Sequence, residues 1–314
     1  MSSSSSSSLK KRNLGIDNPA ASIYPEITEK INPPEYEEKP KYNRVNSKVA
    51  KGMEISFQNL SVHVETKKKR KVQQKVIIDN ITGVVKPGQM VSIMGSSGAG
   101  KTTLLNVIAQ QNIRGLTVSG KTILNGHDYG RKVCDFSAYV QQDDVFFGVL
   151  TPTQHLTFHA NLRGLGKRSD ERVQEVIKEM GLTKCKDTQI GSEIRGFNLS
   201  GGERKRLSFA TQVLIDIPLL FCDEPTSGLD SYLANSVIAS LQKIASKGTT
   251  VLCTIHQPAS ETFAMFDNLL LLAKGRIAYM GGTREALDYF DKTLNCPCPM
   301  SYNPADHYVS KQKI

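Results

Sequence analysis

Apolar and polar positions alternate along Glu54-Ile55-Ser56-Phe57-Gln58-Asn59-Leu60, which predicts a half-buried strand. Val76-Ile77-Ile78 predicts a strand returning beside it. A turn at Pro87-Gly88 leads into Met90-Val91-Ser92-Ile93-Met94, an apolar run short enough for a fully buried strand. Residues 103–109 read as a buried helix. Val173, Val176, Ile177 and Met180 recur at helical spacing, with Ser169 as the expected cap and Gly181 as the stop. Two more apolar strands are predicted at 219–222 and 250–255. Between them lies an amphipathic helix that begins near Ser231 and aligns Leu233, Val237, Leu241 and Ile244. Residues 269–273 and 277–280, joined through Lys274-Gly275-Arg276, predict a hairpin, and 283–290 a short helix. Strands separated by helices predict an α/β fold with a mostly parallel core.

Residues 1–50 break this pattern. A serine run at 2–8 and Pro19, Pro25, Pro33, Pro34 and Pro40 leave little apolar surface to offset the entropy of ordering, which predicts a disordered tail. The ordered domain is expected over 51–314, with a helical subdomain at about 150–210. Among 314 residues, Lys+Arg 40 against Asp+Glu 30 gives a net charge of +10. That balance fits an anionic partner without choosing among nucleotide, nucleic acid and lipid. The run Lys67-Lys68-Lys69-Arg70-Lys71 predicts an exposed loop, with anionic lipid headgroups as its alternative contact. Collagen-like, mucin-like and wholly disordered classes are excluded by composition. Six scattered cysteines point to a reducing compartment. The apolar run at 269–273 is far shorter than the ~18 to 20 residues a membrane helix needs, so the chain is expected not to span a membrane.

The chemistry begins at Gly95-Ser96-Ser97-Gly98-Ala99-Gly100-Lys101-Thr102, which satisfies G-x-x-x-x-G-K-[ST] between a predicted strand and helix. Backbone amides converging on phosphate oxygens need glycine for both dihedral freedom and close approach. Lys101 is then a point charge for the β- and γ-phosphates, and Thr102 a Mg²⁺ ligand at the start of a helix whose dipole favours anions. The strand at 219–222 ends in Asp223-Glu224, placed to hold hydrated magnesium and to orient water. Ser200-Gly201-Gly202, following Asn198-Leu199, is either a helix cap or a second phosphate-binding nest.

In combination these motifs resemble the nucleotide-binding domain of an ABC transporter. Gln142, in Tyr139-Val140-Gln141-Gln142-Asp143-Asp144, matches the family's Q-loop glutamine. Leu199-Ser200-Gly201-Gly202-Glu203 matches its signature, Ser227-Gly228-Leu229-Asp230 its D-loop, and His256 in Ile255-His256-Gln257-Pro258 its switch histidine. Gln142-Asp143-Asp144, the Arg204-Lys205-Arg206 that follows the signature, and Asn303-Pro304-Ala305-Asp306 narrow the likeness to the G, or White-like, subfamily of half-transporters. The subfamily includes exporters of pigment precursors, sterols and drugs.

The resemblance implies a P-loop NTPase core of ABC type, with an antiparallel β subdomain and a helical, signature-bearing subdomain. It implies ATP and Mg²⁺ as cofactors. Gly95, Ser96, Ser97, Gly98, Ala99, Gly100, Lys101, Thr102 and Thr103 cradle phosphate. Ser200, Gly201 and Gly202 complete the phosphate cage of a second half-transporter subunit, identical or different, and Glu203 and Asp230 are further nucleotide-binding residues. Thr102, Gln142 and Asp223 organise the metal, and Glu224, His256 and Gln142 serve hydrolysis. Where the family carries an adenine-stacking aromatic, this chain has Val62 beside His63. Arg204-Lys205-Arg206 is expected to be a solvated helix face or intersubunit support. In this subfamily the ATPase half precedes the membrane half. The transmembrane domain is therefore expected not to be contained in this chain, and the 314-residue chain alone to be cytoplasmic. The competing function is a soluble ABC-type ATPase acting on nucleic acid or the ribosome. A single motif set and the short spacing from Lys101 to Leu199 weigh against it.

Overall fold

A computed structural model describes residues 52–68, 71–192, 196–299 and 302–311, all within the unit from Val45 to Ile314. The expected tail at 1–50 lies outside the described residues. The strands are β1 (Ile55–Lys68), β2 (Lys71–Val85), β3 (Met90–Gly95), β4 (Leu116–Leu124), β5 (His127–Asp128), β6 (Ser137–Val140), β7 (Gly191–Ser192), β8 (Gly196–Phe197), β9 (Leu219–Asp223), β10 (Thr250–Thr254), β11 (Asn268–Ala273) and β12 (Arg276–Gly282). The helices are α1 (Lys101–Ile108), α2 (Pro152–Leu162), α3 (Ser169–Glu179), α4 (Gly201–Gln212), α5 (Ser231–Ser246), α6 (Ser260–Phe263), α7 (Glu285–Asp288) and α8 (Pro304–Lys311).

A six-stranded sheet runs β12-β11-β3-β10-β9-β6. Its strands are parallel except β12, which turns back antiparallel on β11. β3, β9 and β10 are buried at every position, because helices or a second sheet cover both faces. Successive side chains point to opposite faces. Val91, Ile93, Leu219, Phe221 and Leu252 thus join α1 and the inner face of β1 in one core. Met90, Met94, Leu220, Cys222, Val251 and Cys253 join α2 to α5 in the other. A four-stranded antiparallel sheet, β2-β1-β4-β5, closes the first core.

This topology sets the site. β3, β10, β9 and β6 are consecutive neighbours, and their carboxyl ends deliver Gly95, Ile255-His256, Asp223-Glu224 and Gln141-Gln142 to one edge of the sheet. Crevices outside the carboxyl ends of parallel strands are where α/β proteins hold ligands.

The local signals have mixed outcomes. Gly181 ends α3 with a left-handed residue (φ 65°), and Leu182 N–H bonds the Ile177 carbonyl at 2.9 Å. Ser169 does not cap α3: it begins the helix, and its buried hydroxyl has no hydrogen-bond partner. Of the cationic run, Lys67 and Lys68 close β1 and Lys71 opens β2, with Lys68 paired to Lys71, while Lys69 and Arg70 lie outside the described residues. β4, β6 and α2 arise where no strong period announces them. α2 is started by a capping box, in which Thr151 Oγ accepts from Gln154 N–H and Gln154 Oε1 from Thr151 N–H.

Candidate functional site

The loop from Gly95 to Gly100 leaves β3 and enters α1 under tight steric control. A Cβ on Gly95 would lie 2.3 Å from the Leu272 carbonyl oxygen, and one on Gly100 would lie 2.7 Å from Ile78 Cδ1. At Gly98 (φ +77°) nothing stands within 4 Å of such an atom, so the centre of the loop opens onto free space. Lys101 opens α1 and folds back over the loop, its Nζ donating to the Gly95 carbonyl at 3.1 Å and the Ser96 carbonyl at 3.3 Å. It is 6% exposed. Burial lowers its ammonium below the ordinary lysine value, against the opposing pull of Glu224 and Asp223.

Beside it, Thr102 Oγ1 donates to Asp223 Oδ1 at 3.0 Å, and the buried Thr254 Oγ1 donates to the same oxygen at 2.6 Å. Thr254 Oγ1 also accepts from the Glu224 N–H at 2.8 Å. One hydroxyl on β10 therefore ties together both carboxylate-bearing residues at the end of β9. Glu224 itself is left-handed, with φ 42°, a conformation that a non-glycine residue holds only where its surroundings over-determine it. Tyr139 on β6 faces the same aspartate, and burial followed by that charge pushes its phenol upward.

A cavity of about 580 Å³ gathers Ser97, Gly98, Gly100, Lys101, Thr102, Thr103, Glu224 and His256. Its other wall is Lys75, Val76 and Ile77 of β2 with Lys274 and Gly275 of the β11–β12 turn, none of which the sequence had singled out for this role. Val62 is fully buried in the core and offers no exposed apolar face.

Gln142 is exposed, and its Nε2 reaches Ser227 Oγ at 3.5 Å. Ser200, Gly201, Gly202, Glu203 and Asp230 do not line the cavity. Asp230 caps α5 by accepting from Leu233 N–H at 2.9 Å. Ser200 caps α4 in a reciprocal box: its Oγ accepts from Glu203 N–H at 3.3 Å, and Glu203 Oε2 accepts from Ser200 N–H and from Ser200 Oγ, both at 2.9 Å. Burial alone would raise the Glu203 carboxyl, but the bonds from Ser200, with the Cys185 thiol and the Arg206 charge, together hold the group below its ordinary range.

The basic triplet is not the expected solvated face. Arg204 lies 4.0 Å over the Phe197 ring, Arg206 donates to Ser236 Oγ at 3.2 Å, and Lys205 is 4% exposed. The Lys205 ammonium meets the Gln142 carbonyl at 2.8 Å, Asp144 Oδ1 at 2.9 Å and the Gln141 carbonyl at 3.3 Å. A loop distant in sequence folds over it, which charge clustering cannot foretell.

Residues 78–227 match the family model described as ABC transporter, and residues 256–312 match that described as ABC-2 type transporter. Protein white of Drosophila melanogaster is 50% identical over 243 residues, covering 75% of this chain and 35% of its own length. Protein scarlet of the same fly is 46% identical over 241 residues, covering 76% and 36%. The ABC transporter ATP-binding protein/permease wht-1 of Caenorhabditis elegans is 45% identical over 247 residues, covering 77% and 36%. The chain spans about a third of the length of these relatives.

The second family match overturns two expectations: that the transmembrane domain is not contained in this chain, and that the chain alone would be cytoplasmic. Part of a membrane-transporter family lies within residues 256–312. The segment holds α6, the β11–β12 hairpin, α7 and α8, and among the described residues no helix is long and apolar enough to cross a membrane. A search for long apolar runs could not detect this likeness, because the segment contains none.

Proposed function

Since this chain belongs to the White-like branch of the ABC transporter family, we propose that its cavity binds ATP with Mg²⁺ and hydrolyses it to drive transport of a small molecule. The carrying observation is the convergence of Thr102 and Thr254 on the buried Asp223, directly behind the cavity that Thr102, Glu224 and the phosphate loop line. The donor set fits the group: a carboxylate with an adjacent hydroxyl for a hard cation, and an open glycine cradle with a buried ammonium for phosphate.

Thr102 and Asp223 would hold Mg²⁺, which would supply neutralisation of phosphate charge. Lys101 exchanges its two carbonyl partners for phosphate oxygens. The loop amides and the N-terminus of α1 orient the γ-phosphate. Glu224, held by Thr254, aims water at it, and His256 contacts it from the end of β10. The apolar stems of Val76 and Ile77 on β2 receive the base. Ser200, Gly201 and Gly202 complete a second subunit's site, which fits their position outside this chain's own cavity. The domain proposed for this role covers 51–314, takes in the segment at 256–312 that matches the ABC-2 type transporter family, and carries the signature on a helical subdomain at about 150–210. A transported lipid, sterol or pigment precursor fits the subfamily. The relatives support this reading over a ribosome- or nucleic-acid-directed ATPase, since several of them carry an ABC transporter's name.

The test is ATP turnover of the chain and of Glu224→Gln. Turnover is expected to fall by at least ~100-fold, the scale of a lost water-orienting group, with ATP affinity retained. Unchanged turnover would remove Glu224 from this role.

A further inference from the structure

Resting on the proposed Mg²⁺–ATP site and on the metal-organising role that the family resemblance implies for Gln142, we propose that Lys205 is a positioning residue: it fixes the loop bearing Gln142 onto α4 and so sets where the Gln142 amide stands relative to the Mg²⁺ end of the cavity. β6 ends at Val140, and the chain leaves the sheet with the carbonyls of Gln141 and Gln142 facing α4. An ammonium has three N–H donors and no acceptor. Here all three are spent, on two successive carbonyls and the Asp144 carboxylate. The side chains of Lys205 and Asp144 are 5% and 13% exposed, so water replaces neither partner. Ser208, one turn along α4, adds a second bond to Asp144 Oδ1 at 2.7 Å. Two donors from one helix face therefore grip three groups of the loop, on Gln141, Gln142 and Asp144. By contrast, the Gln142 side chain has, among the described residues, a single long contact, to Ser227 at 3.5 Å. Its backbone, not its amide, is what the fold holds, and Lys205 does the holding.

The same helix begins with Ser200, five residues earlier, about 7.5 Å along its axis. The clasp thus joins the signature to the Q-loop through one rigid element.

The test uses the whole chain, a fluorescent non-hydrolysable ATP analogue and a Mg²⁺ titration. Lys205→Met is expected to raise the Mg²⁺ concentration for half-maximal analogue binding by at least about tenfold, the scale of a lost outer-shell support. Gln142→Ala should do the same. Combining the two should add nothing further, since both act through one amide. Wild-type Mg²⁺ dependence in Lys205→Met, or multiplicative effects in the combination, overturns the proposal. Lys205→Met/Asp144→Leu removes both charges and covers the case in which the single variant fails to fold. It should recover the melting temperature without recovering the Mg²⁺ dependence; recovery of both would reduce the clasp to a packing device and overturn the proposal. A wild-type chain that does not bind the analogue sinks the nucleotide reading instead. Lys205 is then judged by amide hydrogen exchange in the nucleotide-free chain. Residues 141–146 should exchange at least about tenfold faster in Lys205→Met, with α5 unchanged, as expected of a locally released segment. Unchanged exchange there overturns the proposal.

Discussion

Replacing Thr254 by valine keeps the shape of a fully buried side chain and deletes a single oxygen. That oxygen makes two bonds, donating to Asp223 Oδ1 at 2.6 Å and accepting from Glu224 N–H at 2.8 Å. Losing a bond to a charged acceptor costs about 1.5–3 kcal/mol, and stranding a buried N–H costs about 1–3 kcal/mol. The two share one residue and do not add fully, so the expected loss is about 3 kcal/mol. For a domain of this size, each kcal/mol moves the melting temperature by about 2–4 °C, which gives a drop of about 6–12 °C. Thr254→Ser keeps the oxygen and loses one methyl, for about 1 kcal/mol. Urea unfolding followed by circular dichroism measures both variants; tryptophan fluorescence is no alternative, because the chain has Trp 0. Valine must be the more damaging substitution. A Thr254→Val chain as stable as Thr254→Ser would refute the idea that this hydroxyl, rather than the packing around it, secures the end of β9.

Three further outcomes are expected. His155 on α2 is 2% exposed with an unpartnered Nδ1, and burial first, then the neighbouring His159, lowers its pKa to about 4. The unfolded chain binds the proton first as pH falls, so stability is full above the unfolded value near 6.5 and is lost towards 4. Between pH 7 and 5 this amounts to about 2 kcal/mol, and His155→Leu should flatten that part of a urea-unfolding pH series. The same burial lowers His159, with Arg163 adding to the effect, so some acid sensitivity should persist in the variant. Gly98→Ala meets no atom within 4 Å and costs only the ~1–2 kcal/mol of a left-handed alanine, yet its methyl enters the phosphate cradle. It should melt cooperatively and fail to bind ATP in a fluorescence titration. Gly95→Ala, blocked by the Leu272 carbonyl, should lose soluble folded yield instead, as judged by size-exclusion chromatography.

Legibility followed the kind of force at work. The strands β3, β9 and β10 stood out because burial on both faces demands unbroken apolar runs, and the phosphate loop stood out because its glycines answer to local geometry. β6 escaped because Ser137-Ala138-Tyr139-Val140 is a half-buried edge strand whose polar start hides its role. β4 mixes exposed Ser119, Gly120 and Lys121 with buried Thr122, which blurs any period of two. Lys205 was misread because a charge on a helix is a surface residue until another segment covers it, and that segment lies 61–64 residues away. The cavity wall at Lys75–Ile77 was invisible for the same reason, since it is brought to the cavity by sheet register and not by a local motif. The membrane-family likeness of 256–312 has no single physical signature in the chain.

The reciprocal cap at the start of α4 has one last consequence. Ser200 greets no vacant berth: its amide and hydroxyl already host a resident anion, the carboxylate three residues on. An oxyanion arriving there would have to evict that tenant, so what it gained would be the difference between two guests and not the full attraction of either.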